Sequence, residues 1–243
     1  MSIPRIYTAE EIREGIVIRL DKAAANHLRV LRLKPGAGVN MFNGTGGEFQ
    51  AVITDIGNEF VAVNIGQHVV REAESPLRIN LAQGISRGER MDYTIQKSVE
   101  LGVTSIIPLL TERCGLKLSP ERAAGRLRHW QGVITSACEQ CGRNRLPAIH
   151  TVDSLRNWLG QINDDGIRLV MDKRNSCSLS QLDRPSGAIT LLIGPEGGLT
   201  DEELALAKDA GFTGIRLGPR ILRTETAGIA AICSLQALWG DLL

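Results

Sequence analysis

The sequence predicts a two-domain α/β protein, with a small barrel-like β module over residues 1–72 and a mostly parallel α/β domain over residues 73–243. Three observations carry this. The first seventy residues hold short runs rich in β-branched side chains, separated by Gly, Asn and Asp. The segment Val70-Arg-Glu-Ala-Glu-Ser-Pro76 is charged and turns at Ser-Pro, as a domain boundary would. From Leu77 onward, short apolar strands alternate with helical stretches, the pattern of βαβ units.

In the first module, residues 16–20, 39–43, 48–56 and 59–65 read as strands. Between the first two, Asp21 is placed to cap a short amphipathic helix through Ala23, Ala24, Leu28, Leu31 and Leu33, which Lys34-Pro35-Gly36 stops. In the second domain the strands are residues 77–83, 105–110, 168–171, 189–193 and 214–217. Ser119-Pro120-Glu121 supplies a helix cap and a first-turn proline, and Thr200-Asp-Glu-Glu203 is a capping box. The last helix, residues 224–240, carries Ile229, Ile232, Leu235, Leu238 and Trp239, and also Ala227, Ala230, Ala231, Cys233 and Ala237. It is apolar on nearly every face, so it must be covered on several sides, by a second subunit or by its own chain.

The 243 residues are 43% hydrophobic and 23% charged, the profile of a soluble folded protein and not of a disordered or fibrous one. The longest uncharged stretch, Thr226 to Gly240, is shorter than the ~20 apolar residues of a membrane span. Five unevenly spaced cysteines and an N-terminus without the apolar core of a signal peptide read as a reduced, cytoplasmic protein. The net charge of +1 hides an uneven distribution. Arg113, Lys117, Arg122, Arg126, Arg128, Arg143 and Arg145 share their stretch with only Glu121 and Glu139, and Arg216, Arg220 and Arg223 follow without an acid among them. Such runs suit a phosphate-binding surface or a solvated basic helix face, and charge alone does not decide.

Several chemistries are disfavoured. No G-x-G-x-x-G follows a strand, Gly36-Ala-Gly38 lacks the third glycine, and there is no Walker A sequence, so a nucleotide cofactor is held in some other way. Cys138-Glu-Gln-Cys141 lies inside a predicted helix without a second pair or nearby histidine, which favours buried free thiols over a metal or redox site. His27, His68, His129 and His150 are scattered and no G-x-S-x-G elbow accompanies them, which argues against a hydrolytic triad.

Two segments stand out, each just after a strand, where open α/β sheets place their ligand crevices. The first is Ile193-Gly-Pro-Glu-Gly-Gly198-Leu199-Thr200, whose glycines allow close backbone approach and which leads into the capped helix. The second, Leu217-Gly-Pro-Arg-Ile-Leu-Arg-Thr-Glu-Thr-Ala227, runs from Gly-Pro through a short basic loop into the last helix. Either alone is most simply a tight strand-to-helix turn. Two in adjacent strand positions weigh toward a ligand site.

Together these segments closely resemble the S-adenosylmethionine-dependent methyltransferases of the SPOUT class, specifically the 16S ribosomal RNA (uracil-N3)-methyltransferase family. The resemblance runs over the whole chain and includes His27-Leu-Arg-Val-Leu-Arg32 and Gln96-Lys-Ser-Val-Glu-Leu-Gly102. It implies an N-terminal PUA-like β-barrel for RNA, a C-terminal SPOUT α/β domain with a deep trefoil knot, and a homodimer with its active site at the subunit interface. Pattern reasoning alone would have drawn a plain doubly wound sheet, because knots are so rare.

The resemblance implies that S-adenosyl-L-methionine is held mainly by backbone groups at Met171, Asp172, Gly194, Pro195, Glu196, Gly197, Leu217, Ile221 and Leu222. A valine at Gly194 should therefore harm cofactor binding more than Glu196→Gln, by filling space the ligand needs. Methylation at N3 of uracil requires loss of the ring proton, so Arg223 is assigned to the uracil anion or its phosphate, and Glu225 or Glu196 to accepting the proton. The bland alternative is that both carboxylates serve helix N-termini and that Arg223 pairs with one of them. RNA contacts are assigned to Arg5, Arg29, Arg32, Lys34, Arg87, Arg90, Arg113, Arg143 and Arg145, with 16S RNA or the 30S subunit as partner and with no metal and no membrane. Three rivals stay open: an RNA-binding module without catalysis, a SPOUT enzyme acting on another atom such as a ribose 2′-oxygen, and, least favoured, a nucleotide-dependent oxidoreductase.

Overall fold

Alternation of inward apolar and outward polar side chains, as in Val61-Ala-Val-Asn-Ile65, makes the N-terminal segments strands with one buried face. The computed structural model describes residues 3–20, 22–115, 118–163, 166–174 and 176–243. The chain divides into two compact units, Met1–Glu74 with Cys138–Leu146, and Ser75–Ala137 with Pro147–Leu243. The first therefore includes a nine-residue piece from deep within the sequence.

In the first unit, strands β1 (Arg5–Tyr7), β2 (Val17–Leu20), β3 (Gly38–Phe42), β4 (Glu48–Ile56) and β5 (Val61–Val69) form one sheet in the order β1-β3-β4-β5-β2. β1 runs parallel to β3 and the other pairings are antiparallel. Register shifts near Phe49 and Ile53 bend the long β4-β5 pair. Helix α1 (Lys22–Val30) packs Ala25 and Leu28 into a core with Ile6, Ile18, Met41, Ile53 and Val63. It ends before Leu31, which is exposed, and Arg32 turns the chain in the left-handed region at φ 56°, so the expected helix is shortened. The expected Asp21 cap lies outside the described residues. β1 was not predicted, because three residues give too short an alternation to register.

In the second unit, β6 (Ile79–Gly84), β7 (Ser105–Leu110), β8 (Ala148–Ile149), β9 (Asp153–Ser154), β10 (Ile167–Met171), β11 (Ile189–Ile193) and β12 (Thr213–Ile215) make a parallel sheet. The order is β12-β10-β11-β6-β7-β8, with β9 also pairing β7. β6 and β11 are apolar almost throughout because both faces are covered. On one face, α4 (Leu155–Gln161) and α5 (Asp201–Asp209) bury Leu155, Leu159, Leu204 and Ala207 with Phe212 against Val170 and Leu192. On the other, α6 (Thr224–Trp239) lies against β6 and β11 and packs on α2 (Glu89–Glu100). The long α3 (Pro120–Cys141) starts at the expected proline.

The capping box of α5 forms in both directions: Thr200 Oγ1 accepts from the Glu203 amide at 3.2 Å, and the Glu203 carboxylate accepts from the Thr200 amide at 2.9 Å. The edge strand β12 is shorter than the sequence suggests and starts one residue earlier, since Arg216 and Leu217 already belong to the loop toward α6. Among the described residues no helix is long and apolar enough to cross a membrane.

Candidate active site

Three loops at the carboxyl ends of β10, β11 and β12 line a cavity of about 1020 Å³ in the second unit. Parallel strands direct all their exits to one side of the sheet, which is why segments far apart in sequence meet there. The cavity brings together every residue assigned to the cofactor, from Met171 and Asp172, through Gly194, Pro195, Glu196 and Gly197, to Leu217, Ile221 and Leu222. Arg223, Glu225, Arg90 and Arg113 line it as well. Arg29, Arg32 and Lys34 are exposed in the first unit, and Arg87 is exposed in the second.

The loop after β11 closes on itself. A Cβ on Gly194 would lie 2.9 Å from the Leu199 amide nitrogen and 3.0 Å from the Gly198 carbonyl carbon. A side chain there would therefore meet the loop's own backbone. Gly84, ending β6, gives similar clearance to Pro195, whose ring would stand 2.7 Å from an added Cβ.

Glu196 accepts from the Arg87 amide at 2.9 Å and from Arg90 Nη1 at 3.0 Å. Partial burial alone would push its carboxyl up, but these donors and the Arg90 charge outweigh it and hold the carboxyl below the usual range. A carboxylate so engaged is a weak base. Glu225 differs, for its Oε2 is buried and has no hydrogen-bond partner among the described residues. It sits in the first turn of α6, which begins after Arg223 without a side-chain cap, so the free amide end of the helix adjoins the cavity.

Asp172 is only 5% exposed. Burial pushes its carboxyl up, yet the Arg174 amide, the Lys208 ammonium at 3.2 Å and the Arg174 guanidinium hold it below the ordinary aspartate value. Arg174 is itself paired with Asp201. Asp172 therefore anchors the loop after β10 to α5.

Two residues assigned to RNA are placed otherwise. Arg143 is 4% exposed and gives Nε and Nη2 to the Glu74 carboxylate at 3.0 and 2.5 Å. Arg5 pairs with Glu48 and donates to the Arg143 carbonyl at 3.0 Å and to Asn144 at 2.6 Å. Both guanidiniums are committed inside the first unit and cannot meet phosphate. Arg145 is more open, 3.9 Å from Glu72. Cys138 is buried, with its thiol pushed up to about 12 chiefly by burial, and all five cysteines are free. No group of three metal-ligating side chains is found among the described residues.

Comparison with known proteins places the chain. A family model described as an RNA methyltransferase domain matches residues 73–236, and one described as an RNA methyltransferase PUA domain matches residues 20–66. A ribosomal RNA small subunit methyltransferase E from Buchnera aphidicola is 38% identical over 99% of this chain and 98% of its own. The chain belongs to the ribosomal RNA small subunit methyltransferase E family. A member of this family from Neisseria gonorrhoeae, solved bound to S-adenosyl methionine, is 43% identical and superposes over 100% of both chains with a TM-score of 0.96. A putative methyltransferase from Legionella pneumophila, solved with the same cofactor, is 40% identical over 100% of both chains, also with a TM-score of 0.96.

Within this family member, sequence reasoning passed over Gln83. It is fully buried at the end of β6, where its Nε2 donates to Thr224 Oγ1 at 3.0 Å and to the Gly84 carbonyl at 2.9 Å. The signal was an amide in an otherwise apolar strand, since a buried side-chain amide implies a partner. Lys173, Arg174, Arg216 and Arg220 on the cavity wall were likewise not assigned to it. Their clustering depends on sheet order, which the sequence does not display.

Proposed function

We propose that this protein methylates N3 of a specific uridine in the 16S RNA of the small ribosomal subunit, in the cytoplasm, with S-adenosyl-L-methionine as donor. The observation that carries the reading is one cavity at the strand ends that gathers all three loops and holds Glu225, whose buried Oε2 has no partner among the described residues, together with Arg223.

The residues present fit the donor. Apolar walls at Met171, Ile193, Leu217 and Leu222 suit an adenine ring, and loop backbone between them offers hydrogen bonds. When bound, S-adenosyl-L-methionine supplies an electrophilic methyl group on its sulfonium. The protein must position the base and manage one proton. Glu225 is the better acceptor, because among the described residues its Oε2 has no hydrogen-bond partner, whereas Glu196 is held by Arg87 and Arg90. Arg223 and the amide end of α6 both favour the negative charge left on the ring.

Other parts of the reading have their own support. A PUA-like barrel agrees with the bent five-stranded sheet of the first unit. A trefoil knot agrees with the path after the edge strand β12, where residues 216–223 lead back so that Thr224 bonds Gly194 beyond β11 and Gln83 of β6. A homodimer agrees with α6, whose outer face leaves Ile229, Ala230, Cys233 and Ala237 half-buried and Leu238 47% exposed. RNA contacts fall to Arg29, Arg32, Lys34, Arg87, Arg90, Arg113 and Arg145, and the working division remains RNA binding in residues 1–72 and transfer in 73–243.

The test is incubation with methyl-labelled S-adenosylmethionine and unmodified 30S subunits or 16S RNA, followed by nucleoside mass analysis. Label in 3-methyluridine is the expected result. Label in a 2′-O-methylated nucleoside would overturn the atom, and no label with either substrate would overturn the activity.

A further inference from the structure

The loop from Arg216 to Arg223 forms one rim of the cavity. Arg216 and Arg220 are exposed, and among the described residues their side chains make no hydrogen bond or ion pair. Unlike Arg90 and Arg174, which neutralise Glu196 and Asp201, they are cations without an internal task. Between Arg220 and Arg223 stands Ile221, 82% exposed although it lies at the cavity edge. Its neighbours are fixed. Gly218 turns the chain at φ 71°, Pro219 locks the next dihedral, and Thr224 is bonded to Gly194 and Gln83.

An isolated exposed isoleucine needs no explanation in general. This one stands outward among arginines, in a loop that lines the site a base has to enter. N3 is on the pairing edge of uracil, so the target must leave its stack before transfer. Apolar side chains flanked by basic ones are the recurrent device for filling an opened base step.

We infer that Ile221 is the wedge that occupies the gap left by the extruded uridine, while Arg216 and Arg220 of the same loop hold neighbouring phosphates. This rests on the proposed uridine methylation. It separates the Ile221 side chain from the cofactor site, to which the sequence had assigned the residue. It makes Ile221 a positioning residue, acting on RNA conformation and not on the reacting atoms.

The experiment first maps the methylated nucleotide with the wild-type protein. An RNA carrying 2-aminopurine beside that nucleotide, free or reconstituted into the small subunit, is then bound in the presence of S-adenosylhomocysteine. Fluorescence rises severalfold when the neighbouring base is unstacked. Wild type is expected to give the rise. Ile221→Ser is expected to bind cofactor and RNA with affinities within about threefold of wild type, to give no rise, and to lose roughly 30-fold or more in kcat, with Ile221→Leu restoring both. Arg216→Gln and Arg220→Gln should each flatten the salt dependence of RNA binding by about one charge.

A normal fluorescence rise with Ile221→Ser overturns the inference. So does a tenfold loss of cofactor affinity in that variant, which would make Ile221 a wall of the cofactor site. Unchanged salt slopes overturn the phosphate contacts. If wild type labels a nucleoside other than 3-methyluridine, the N3 reading fails while the wedge is still judged at the mapped nucleotide. If wild type transfers no methyl group, both fall together.

Discussion

Thr224 Oγ1 donates to the Gly194 carbonyl at 2.6 Å and accepts from Gln83 Nε2 at 3.0 Å, joining the start of α6 to the loop after β11 and the end of β6. One hydroxyl thus fixes the mutual position of two of the three loops that line the cavity. Thr224→Val keeps the shape and removes both bonds within a buried site. It is expected to cost about 1–3 kcal/mol and to lower Tm by roughly 3–8 °C, with weaker cofactor binding, whereas Thr224→Ser stays near wild type. Thermal unfolding and calorimetric titration of the three proteins check this.

Gly194→Ala adds one methyl group against backbone. With the Leu199 nitrogen 2.9 Å away and no flexible side chain to yield, the loop itself must shift. Destabilisation of about 1–3 kcal/mol is expected, and cofactor affinity should fall with the shifted loop. Denaturant unfolding alongside cofactor titration distinguishes this from simple blockage, which would leave stability intact.

Acid should loosen the loop after β10. The Asp172 carboxyl in the folded protein lies below its unfolded value of about 3.9, so its ion pairs stabilise the fold at higher pH and are lost as pH falls through the folded value. Wild type and Asp172→Asn should therefore differ by a constant amount in Tm above about pH 5, with the gap narrowing below about pH 4. A gap that widens in acid would contradict the assignment.

The two candidate acceptors should separate kinetically. Glu225→Gln is expected to lower kcat by about 10²-fold or more, while Glu196→Gln, which removes a carboxylate already held by Arg87 and Arg90, should lower it by no more than about tenfold. Single-turnover methyl transfer at saturating cofactor measures both.

Arg143→Ala should act on stability before it acts on RNA. Removing it leaves the half-buried Glu74 without its paired donors, at a cost of about 1–3 kcal/mol. Arg145→Gln, on an exposed residue, should leave Tm within about 1 °C and weaken RNA binding alone. A double substitution of the two would mix these effects, so they have to be measured separately.

Much of the site was legible because glycine, proline and cap residues act locally. The Gly194–Thr200 and Leu217–Ala227 segments announce turns leading into helices by residue type alone, and Thr200 with Glu203 closes as its spacing requires. What stayed hidden depends on chain path. Nothing local to Arg143 says that Glu74, far earlier in sequence, will claim it, so a basic run was read as one surface although Arg143 turns inward while Arg145 stays exposed. Likewise Gln83 becomes meaningful only when β6 and β11 are neighbours and Thr224 is brought over them. A trefoil knot cannot be inferred from pattern at all, because periodicity reports burial and not the order in which the chain passes itself.

The grouping of Cys138–Leu146 with the first unit bears on how such a protein can be recombined. A gene fragment ending at Glu74 encodes all five strands, yet it omits Asn144 and Arg143, the partners of Arg5 and Glu74. The module is therefore no contiguous cassette. A chimera that exchanges everything before Ser75 for a relative's stretch inherits one half of a charge set and keeps the other half from the segment that follows its own α3. Swaps that carry residues 138–146 along should fold where simple front-end exchanges fail, and the two stretches are expected to drift together through descent.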